Sequence, residues 1–346
     1  MRGAGSCHRA TTSLVAAVSL ATVLMLTACS PVATTSQASR PTGPGVSAAD
    51  QETHGTIDSG RILFGVDGQT DSGKPELRVL QGSELQTVVT GDPTFSHAAW
   101  AGGDAIVYDS EPAQGRQVFR RADFRDASAD LLAPEAVAGG ANAGVSPDGS
   151  LVVFAASMPF EGRRMGLSVV SVDTGEAVEI TPQGPEKVLI PYDDFPSFSP
   201  DARQVVYLRV TTASEQGDAL AGAVFVVDVN GGTPRRVSPD LQFPGPPRFS
   251  PDGTQILYHA NPSEWKTSLW VVPVSGGEPT ELFAVPSHAH AMNPDWSPDG
   301  TKLVFEWAED GPDRNELRIS NLDGSDTRTI WQAASHARAE HPDWAD

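Results

Sequence analysis

The sequence predicts an all-β fold: a six-bladed β-propeller built from four-stranded antiparallel blades. The first observation is a phrase, Ser-Pro-Asp-Gly, found at 146–149, 250–253 and 297–300, with the variant Ser-Pro-Asp-Ala at 199–202. The second is an apolar run after each turn that ends on an aromatic residue, and these aromatics recur at intervals of about 50 residues, the length of a four-stranded propeller blade. They are Phe64, Tyr108, Phe154, Tyr207, Tyr258 and Phe305.

The residues within one unit suit four strands. In the turn, proline presets φ, aspartate accepts hydrogen bonds from nearby amides and glycine tolerates positive φ, so the phrase predicts a tight hairpin. The run after it, such as Val205-Val206-Tyr207, is apolar throughout, which is typical of a strand covered on both faces. A third apolar strand and a short polar fourth strand follow, joined by a glycine-containing turn such as Asn230-Gly231-Gly232.

The two ends of the repeat region complete each other. The chain stops at His341-Pro342-Asp343-Trp344-Ala345-Asp346, which is the beginning of a unit, and residues 59–64 contain the continuation without that beginning. We therefore expect the C-terminal segment to be the inner strand of the first blade. This arrangement closes the ring and removes exposed strand edges.

The N-terminus predicts export and anchoring. Arg2 and Arg9 precede an uncharged apolar stretch at 14–26, which is too short for a comfortable membrane span and is typical of a signal peptide. The stretch ends in Leu26-Thr27-Ala28-Cys29, which resembles the bacterial lipobox. That resemblance implies cleavage before Cys29 and lipidation of its sulfur, and two acyl chains give stable anchoring.

These features predict three regions of the chain. Residues 1–28 are the lipoprotein signal peptide, 29–58 are the lipidated cysteine and a flexible tether rich in Ser, Thr, Ala, Pro and Gly, and 59–346 are the propeller. Both cysteines, Cys7 and Cys29, precede the propeller, so no disulfide framework is expected within it. The formal net charge of −20 argues against a nucleic-acid partner.

The repeat units resemble the WD40-like PD40 repeats of TolB-type propellers over roughly residues 59–346. The resemblance rests on an aromatic residue followed by Ser-Pro-Asp-Gly and then by an apolar run that ends on an aromatic residue. The repeat is specific for fold and not for function, because it occurs in translocation proteins, peptidase propellers and polysaccharide lyases.

Candidate site residues concentrate on one face. The tight turns occupy one end of each blade, and the long connections lie at the other, where recognition usually resides on a rigid scaffold. Most histidines fall on this long-loop face. We predict a ligand site at the channel mouth, composed of His97, His288, His290, His336, Arg338 and His341.

Two functions follow from this surface. The favoured one is a non-enzymatic, monomeric scaffold, lipid-anchored outside the cytoplasmic membrane, whose long-loop face binds an envelope protein or glycan. The alternative is a metal-assisted polysaccharide lyase or hydrolase that uses the channel histidines, since imidazole binds transition metals; no cofactor is otherwise expected. Five acids on this face are expected to be solvated charges: Asp193, Asp194, Glu306, Glu309 and Asp310. Trp265, Trp307 and Trp331 are equally compatible with contact or core roles.

Overall fold

The computed structural model describes residues 52–68, 74–91, 97–110, 118–123, 125, 129–131, 140–156, 166–182, 191–213, 219–263, 265–309, 315–333 and 337–346. The predicted signal peptide and Cys29 lie outside these residues. Within them the secondary structure consists of strands and turns without helices, as predicted. Accordingly, no helix that could cross a bilayer occurs in the described part of the chain.

Twenty-six strands are labelled here in chain order. They are β1 (Thr53–His54), β2 (Arg61–Gly68), β3 (Glu76–Gln81), β4 (Glu84–Thr90), β5 (Ala98–Trp100), β6 (Ala105–Ser110), β7 (Val118–Asp123), β8 (Ala129–Leu131), β9 (Gly140–Val145), β10 (Leu151–Ala156), β11 (Gly166–Ser171), β12 (Ala177–Glu179), β13 (Tyr192–Phe198), β14 (Gln204–Ala213), β15 (Ala219–Asp228), β16 (Arg235–Arg236), β17 (Leu241–Gln242), β18 (Arg248–Phe249), β19 (Gln255–Ser263), β20 (Lys266–Pro273), β21 (Thr280–Glu281), β22 (Ala289–Trp296), β23 (Lys302–Glu309), β24 (Asn315–Asn321), β25 (Arg328–Gln332) and β26 (Ala337–Ala345).

The strands pair mainly as antiparallel meanders. Three sheets of four strands have the orders β26-β2-β3-β4, β5-β6-β7-β8 and β9-β10-β11-β12, and a five-stranded sheet contains β13 to β17. The remaining strands form one nine-stranded sheet, in which the runs β18 to β21 and β22 to β25 join through a single parallel pair, Thr267 with His290. The all-β, propeller-like arrangement is therefore confirmed, although the strand pairing does not divide into six separate sheets.

The strand that leads into each tight turn is called the first strand of its unit here: β5, β9, β13, β18, β22 and β26. These first strands contact one another in the order in which they are named, and β26 also contacts β5. Hydrophobic clusters fill the space between neighbouring sheets, as where Val153 and Leu167 pack with Phe198 and Tyr207. The first strands therefore surround the inner part of the molecule, where the candidate site lies.

The C-terminal strand pairs with the first strand of the repeat region, as predicted. Register in the β26–β2 pair runs from Arg61 opposite Ala345 to Gly68 opposite Ala337. The indole of Trp344 is buried, and its Nε1 donates to the carbonyl oxygen of Ser59 at 3.2 Å. The two chain ends thus complete one four-stranded sheet.

Residues that precede the repeat region also pack against it. Thr53 and His54 form β1, which extends the sheet beyond β25. The carboxylate of Glu52 accepts a hydrogen bond from Trp331 Nε1 at 3.0 Å, and the backbone nitrogen of Ile57 donates to Gly82 at 2.9 Å. This segment therefore joins the last sheet to the first on the outer side of the molecule.

The tight turns have the chemistry expected of them. In the first complete copy, Ser146 Oγ donates to Asp148 Oδ1 at 2.7 Å and accepts from the Leu151 amide at 2.9 Å. Hydrogen bonds from the Ser146 hydroxyl and from the Ser150 amide and hydroxyl lower the pKa of Asp148 to about 2. Gly149 has φ of 72°, and a Cβ there would lie 2.2 Å from the carbonyl oxygen of Ala101 in the neighbouring unit. The Ser-Pro-Asp-Gly sequence therefore stabilises the hairpin and also allows close contact between neighbouring units.

Candidate functional site

Several first strands are kinked at the same place. The pairings of β9, β13, β22 and β26 all shift register, which marks a β-bulge. At each kink a non-glycine residue has positive φ, an uncommon conformation that requires support from its surroundings. These residues are Asn142 (55°), Phe195 (50°), Asn293 (45°) and His341 (49°). A β-bulge changes the direction in which nearby side chains point, so the side chains at these four kinks are directed differently from those of a regular strand.

Buried side chains support these kinks. The backbone nitrogen of His341 donates to Glu306 Oε1 at 2.8 Å, and the Asn293 side chain donates to the same oxygen at 2.7 Å. The backbone nitrogen of Asn293 donates to His259 Nδ1 at 2.9 Å. The Glu306 carboxylate and the His259 ring are therefore occupied with holding the backbone.

The pKa values of these groups reflect burial. Loss of solvation raises the pKa of Glu306 to about 7 and the pKa of Asp194 to about 6, although hydrogen bonds oppose both changes. Burial lowers the pKa of His259 to about 4. A neutral His259 ring agrees with its role, because Nδ1 must carry no proton to accept the Asn293 hydrogen bond.

Two of the predicted histidines lie together. The rings of His97 and His341 have centroids 4.1 Å apart, and Phe195 lies 5.5 Å from His97. Burial first, then the charges of Arg248 and His259, lowers the pKa of His341 to about 3. The pair of tilted rings therefore includes an imidazole that is neutral at physiological pH.

A carboxyl pair lies on the adjoining strands. Asp343 accepts from the Trp100 backbone nitrogen at 2.7 Å, and Asp295 accepts from the Trp344 backbone nitrogen at 2.8 Å, so each carboxyl bonds to the next first strand. Burial and the neighbouring Asp343 charge raise the pKa of Asp295 to about 8. Burial also raises the pKa of Asp343, which hydrogen-bonds to Asp295. Burial and mutual repulsion therefore favour the protonated form in this pair.

The other predicted site residues are dispersed. His288 is exposed beside Trp265, with ring centroids 5.9 Å apart, and His290 Nδ1 lies 3.0 Å from Thr267 Oγ1. Arg338 is exposed, and its charge opposes the raised pKa values of Glu306 and Glu340. His336 lies outside the described residues. The described histidines of the predicted set thus divide into the His97–His341 pair and a separate group around Trp265.

The expectation that five acids are solvated was wrong for three of them, whereas Glu309 is exposed and Asp310 lies outside the described residues. Asp193, Asp194 and Glu306 are 1%, 6% and 5% exposed. Asp193 accepts two hydrogen bonds from Arg209, at 2.6 and 2.9 Å, because the pairing of β13 with β14 brings these two residues opposite each other. The Asp193 charge is therefore compensated by Arg209 inside the protein instead of by water.

The three tryptophans differ in environment. Trp331 and Trp307 belong to the core, whereas Trp265 is 60% exposed at the tip of the β19–β20 hairpin. That tip lies at the opposite end of the unit from the Ser-Pro-Asp-Gly turn. Trp265 is therefore a large apolar side chain presented on the long-loop face.

Sequence reasoning did not select Arg248, Asp295 or Asp343. All three occupy the same place in their units, directly before the aromatic residue that precedes the tight turn. An alignment of the units on that aromatic would have shown charged residues here in three units only. The described residues hold no group of three or more His, Cys, Asp or Glu side chains arranged to bind a metal ion.

Solved protein structures with a similar fold were found by comparison. TolB from Acinetobacter baumannii superposes with a TM-score of 0.65 at 20% identity, over 83% of this chain and 66% of that chain. The fold of the chain described here is therefore a TolB-like β-propeller. This chain spans about two thirds of the length of that TolB.

Other propellers are similar to this TolB-like fold. A chain of the nidogen/laminin complex has a TM-score of 0.57 at 10% identity, covering 83% of this chain and 99% of that one. An oligogalacturonate lyase in complex with manganese has a TM-score of 0.53 at 17% identity, over 78% of this chain and 73% of that chain. No family model matches the sequence, and no curated protein matches it. At these identities the likeness concerns the fold.

Proposed function

We propose that this protein is a lipid-anchored, extracytoplasmic binding scaffold, and that its long-loop face binds a protein or glycan of the cell envelope. The proposed organisation is a signal peptide at 1–28, a lipidated Cys29 with a tether that leads to the segment packed against the propeller from Glu52 onward, and a propeller from 59 to 346. The propeller is a closed ring of six blades, in which the nine-stranded sheet contains two blades. Cyclic contacts among the first strands and the β26–β2 pairing support this ring.

The exposed Trp265 is the observation that carries a binding role. Five other described tryptophans — Trp100, Trp296, Trp307, Trp331 and Trp344 — are each at most 8% exposed. Tryptophan is enriched among the residues that dominate binding energy at protein interfaces. His288, which donates its backbone N–H to the Trp265 carbonyl at 2.9 Å, extends the same surface. The titratable groups Glu306 and His259, by contrast, already hold backbone hydrogen bonds.

Capture from a solubilised envelope fraction tests this role. The wild-type protein is expected to retain a partner that Trp265→Ala loses, whereas Val178→Ala, which removes another exposed apolar side chain, retains it; Val178 is 51% exposed on β12. Equal capture by all three proteins would contradict the assignment of this face. The nidogen/laminin neighbour is in keeping with a protein partner, and digestion of the captured material with protease or glycosidase identifies its class.

The anchor requires a separate test. Cys29→Ser is expected to move the protein from the membrane fraction to the soluble extracytoplasmic fraction, because two acyl chains are then missing. Cys7→Ser is the matched control and should leave the protein in the membrane. A Cys29→Ser variant that stays with the membrane would overturn the lipid anchor without affecting the binding face.

Metal-assisted polysaccharide cleavage is the competing function, and the likeness to an oligogalacturonate lyase in complex with manganese favours it. The His97–His341 pair is the most suitable imidazole group for a metal on the described strands. Manganese titration of the wild-type protein and of His341→Gln decides between the functions. Stoichiometric manganese lost in that variant, with cleavage of polyuronates, would replace the scaffold hypothesis.

A further inference from the structure

The segment that precedes the repeat region is fixed along the outer edge of the last sheet. Thr53 in β1 pairs with Gln332 in β25. Ile57 is 2% exposed and belongs to the hydrophobic cluster beneath this sheet. Farther along, a carboxylate oxygen of Asp58 lies 3.1 Å from Arg328 Nη2. Residues 53–58 therefore have a defined position and direction on the propeller.

The direction of β1 decides where the chain enters the propeller. Strand β25 follows the tight turn at 323–325, so it begins at the tight-turn end of its unit and runs towards the long-loop end. Because β1 is antiparallel to β25, Thr53 lies beside the far end of β25, at Gln332, and Asp58 lies beside its beginning. The chain therefore enters the propeller at the long-loop end.

Two exposed aromatic side chains occupy this same end. Trp265 is 60% exposed at the tip of the β19–β20 hairpin, and Phe243 is 46% exposed. Phe243 directly follows β17, and its amide donates to the carbonyl oxygen of Leu220, at the beginning of β15, at 3.0 Å. Because β15 begins at the long-loop end, Phe243 and Trp265 lie on one surface.

The backbone around these aromatics is held in an uncommon conformation. Phe243 has φ of 45° and His288, which contacts Trp265, has φ of 65°. Bulky residues are strained in this region, and such strain persists only where the surroundings enforce it. Downstream of Phe243, the Gly245 amide donates to the His259 carbonyl oxygen at 3.1 Å, which fixes this connection to β19. An exposed aromatic on a strained, fixed backbone indicates a role in binding, because neither feature stabilises the fold.

The predicted tether is short compared with the propeller. From Cys29 to Glu52 the chain advances by 23 residues, and a flexible chain of that length spans about 24–29 Å on average. A folded domain of the length of 59–346 has a radius of gyration of about 19 Å, so it is about 50 Å across. With Cys29 in the lipid, the end at which the tether enters is held nearer to the membrane than the tight-turn end.

We propose that the surface formed by Phe243, Trp265 and His288 faces the membrane and binds the extracytoplasmic part of a protein embedded in that same membrane. This inference rests on the anchor and the binding face proposed above, and it names the kind of partner. Tethering both proteins to one membrane converts their association into an almost intramolecular event, with an effective concentration in the millimolar range.

The chemistry of the surface favours a protein over the lipid itself. Docking on anionic lipid relies on clustered basic side chains. Lys266, which directly follows Trp265, is paired with Glu281 at 2.7 Å, and the net charge of the chain is −20. Exposed aromatic side chains, by contrast, are typical anchors of protein–protein interfaces.

Photo-crosslinking in the native cells tests the partner with the full, lipidated chain. Phe243, and in a second variant Trp265, is replaced by p-benzoylphenylalanine, and a site for a sequence-specific protease is inserted between Gly45 and Val46. The matched control has the same replacement at Val178, which is 51% exposed on the outer strand β12. Adducts are expected at the first two positions and not at Val178.

Cleavage of the inserted site then separates the propeller from its own anchor. Free propeller should leave the membrane, whereas the adduct should stay with it through a carbonate wash because the partner spans the bilayer. Release of the adduct, an adduct with the mass of a lipid, or an adduct freed only by lysozyme would each overturn the inference and assign another partner. Absence of adducts at Phe243 and Trp265 would also overturn it. A partner captured through Trp265 that is not embedded in the membrane would leave the proposed binding role intact.

Energy transfer in vesicles tests the orientation without any partner. The lipidated protein is reconstituted into phosphatidylcholine vesicles that carry an acceptor dye on the lipid headgroups, and a donor dye is attached at Ser287→Cys or Ser275→Cys. Both serines are exposed, and the eight-residue strand β20 separates their two ends of the blade by about 25 Å. Transfer should be stronger from Ser287→Cys, at the long-loop end. Equal transfer, or stronger transfer from Ser275→Cys, would show that this surface does not face the membrane.

Discussion

The seam between the chain ends can be tested with a single substitution, Trp344→Ala. The Trp344 side chain is 6% exposed and packs in a cluster with Phe64, Val304 and Trp331. Truncating a buried tryptophan to alanine costs about 3–5 kcal/mol, because transfer energy is lost and a cavity remains. The lost hydrogen bond from Nε1 to Ser59 acts in the same direction. For a domain of this size, each kcal/mol lowers the melting temperature by about 2–4 °C. The expected decrease is therefore about 6–20 °C.

Trp265→Ala provides the matched control for this prediction. The same chemical change at a 60% exposed side chain should alter stability by no more than about 0.5 kcal/mol. Thermal denaturation monitored by circular dichroism, repeated by urea unfolding, measures both variants. If Trp344→Ala melts together with Trp265→Ala, then the C-terminal strand does not contribute to the folded core, and the closure by β26 is wrong.

Three other perturbations probe the buried polar groups. Burial raises the pKa of Glu340 to about 8, so the wild type is expected to lose stability as pH rises from about 4.5 to 8. Glu340→Gln should flatten this pH dependence. Urea unfolding across that range measures both proteins, and the same pH dependence in the two would show that the inference is wrong. His259→Phe should lower unfolding free energy by about 1–3 kcal/mol, since the Asn293 amide loses its acceptor, and an unchanged urea midpoint would refute that role. Gly245→Ala should cost about 1–3 kcal/mol, because the new Cβ would fall 1.7 Å from the His259 ring, and a wild-type melting curve would contradict this overlap.

The regular parts of the fold were predictable from local chemistry. The Ser-Pro-Asp-Gly phrase predicted the tight turns, and Ser146 and Asp148 make the side-chain bonds that such turns use. The apolar run Val205-Val206-Tyr207 predicted a buried strand, and all three side chains are fully buried. Both predictions depend on residues within a few positions of one another, where sequence spacing fixes geometry.

The candidate site was less predictable because it depends on contacts between units. Asp193 was expected to be solvated, yet the register of β13 with β14 places it against Arg209. Asp295 and Asp343 meet only because β22 and β26 are neighbours in the fold. Of the selected histidines, His97 and His341 come together. Each precedes a tryptophan by three residues, so their equivalent places in two units were visible in the sequence, but the ring contact itself depends on how those units pack.

By itself the sequence determined the strand composition, the tight turns and the pairing of the chain ends, because each follows from a repeated local pattern of apolar, turn and aromatic residues. It also carries the basis for the predicted anchor at Cys29, which remains a prediction. Only the tertiary structure decided which polar groups are buried and what they contact. Burial and pairing arise from how neighbouring units pack, so Glu306 supports the His341 backbone and Asp193 pairs with Arg209.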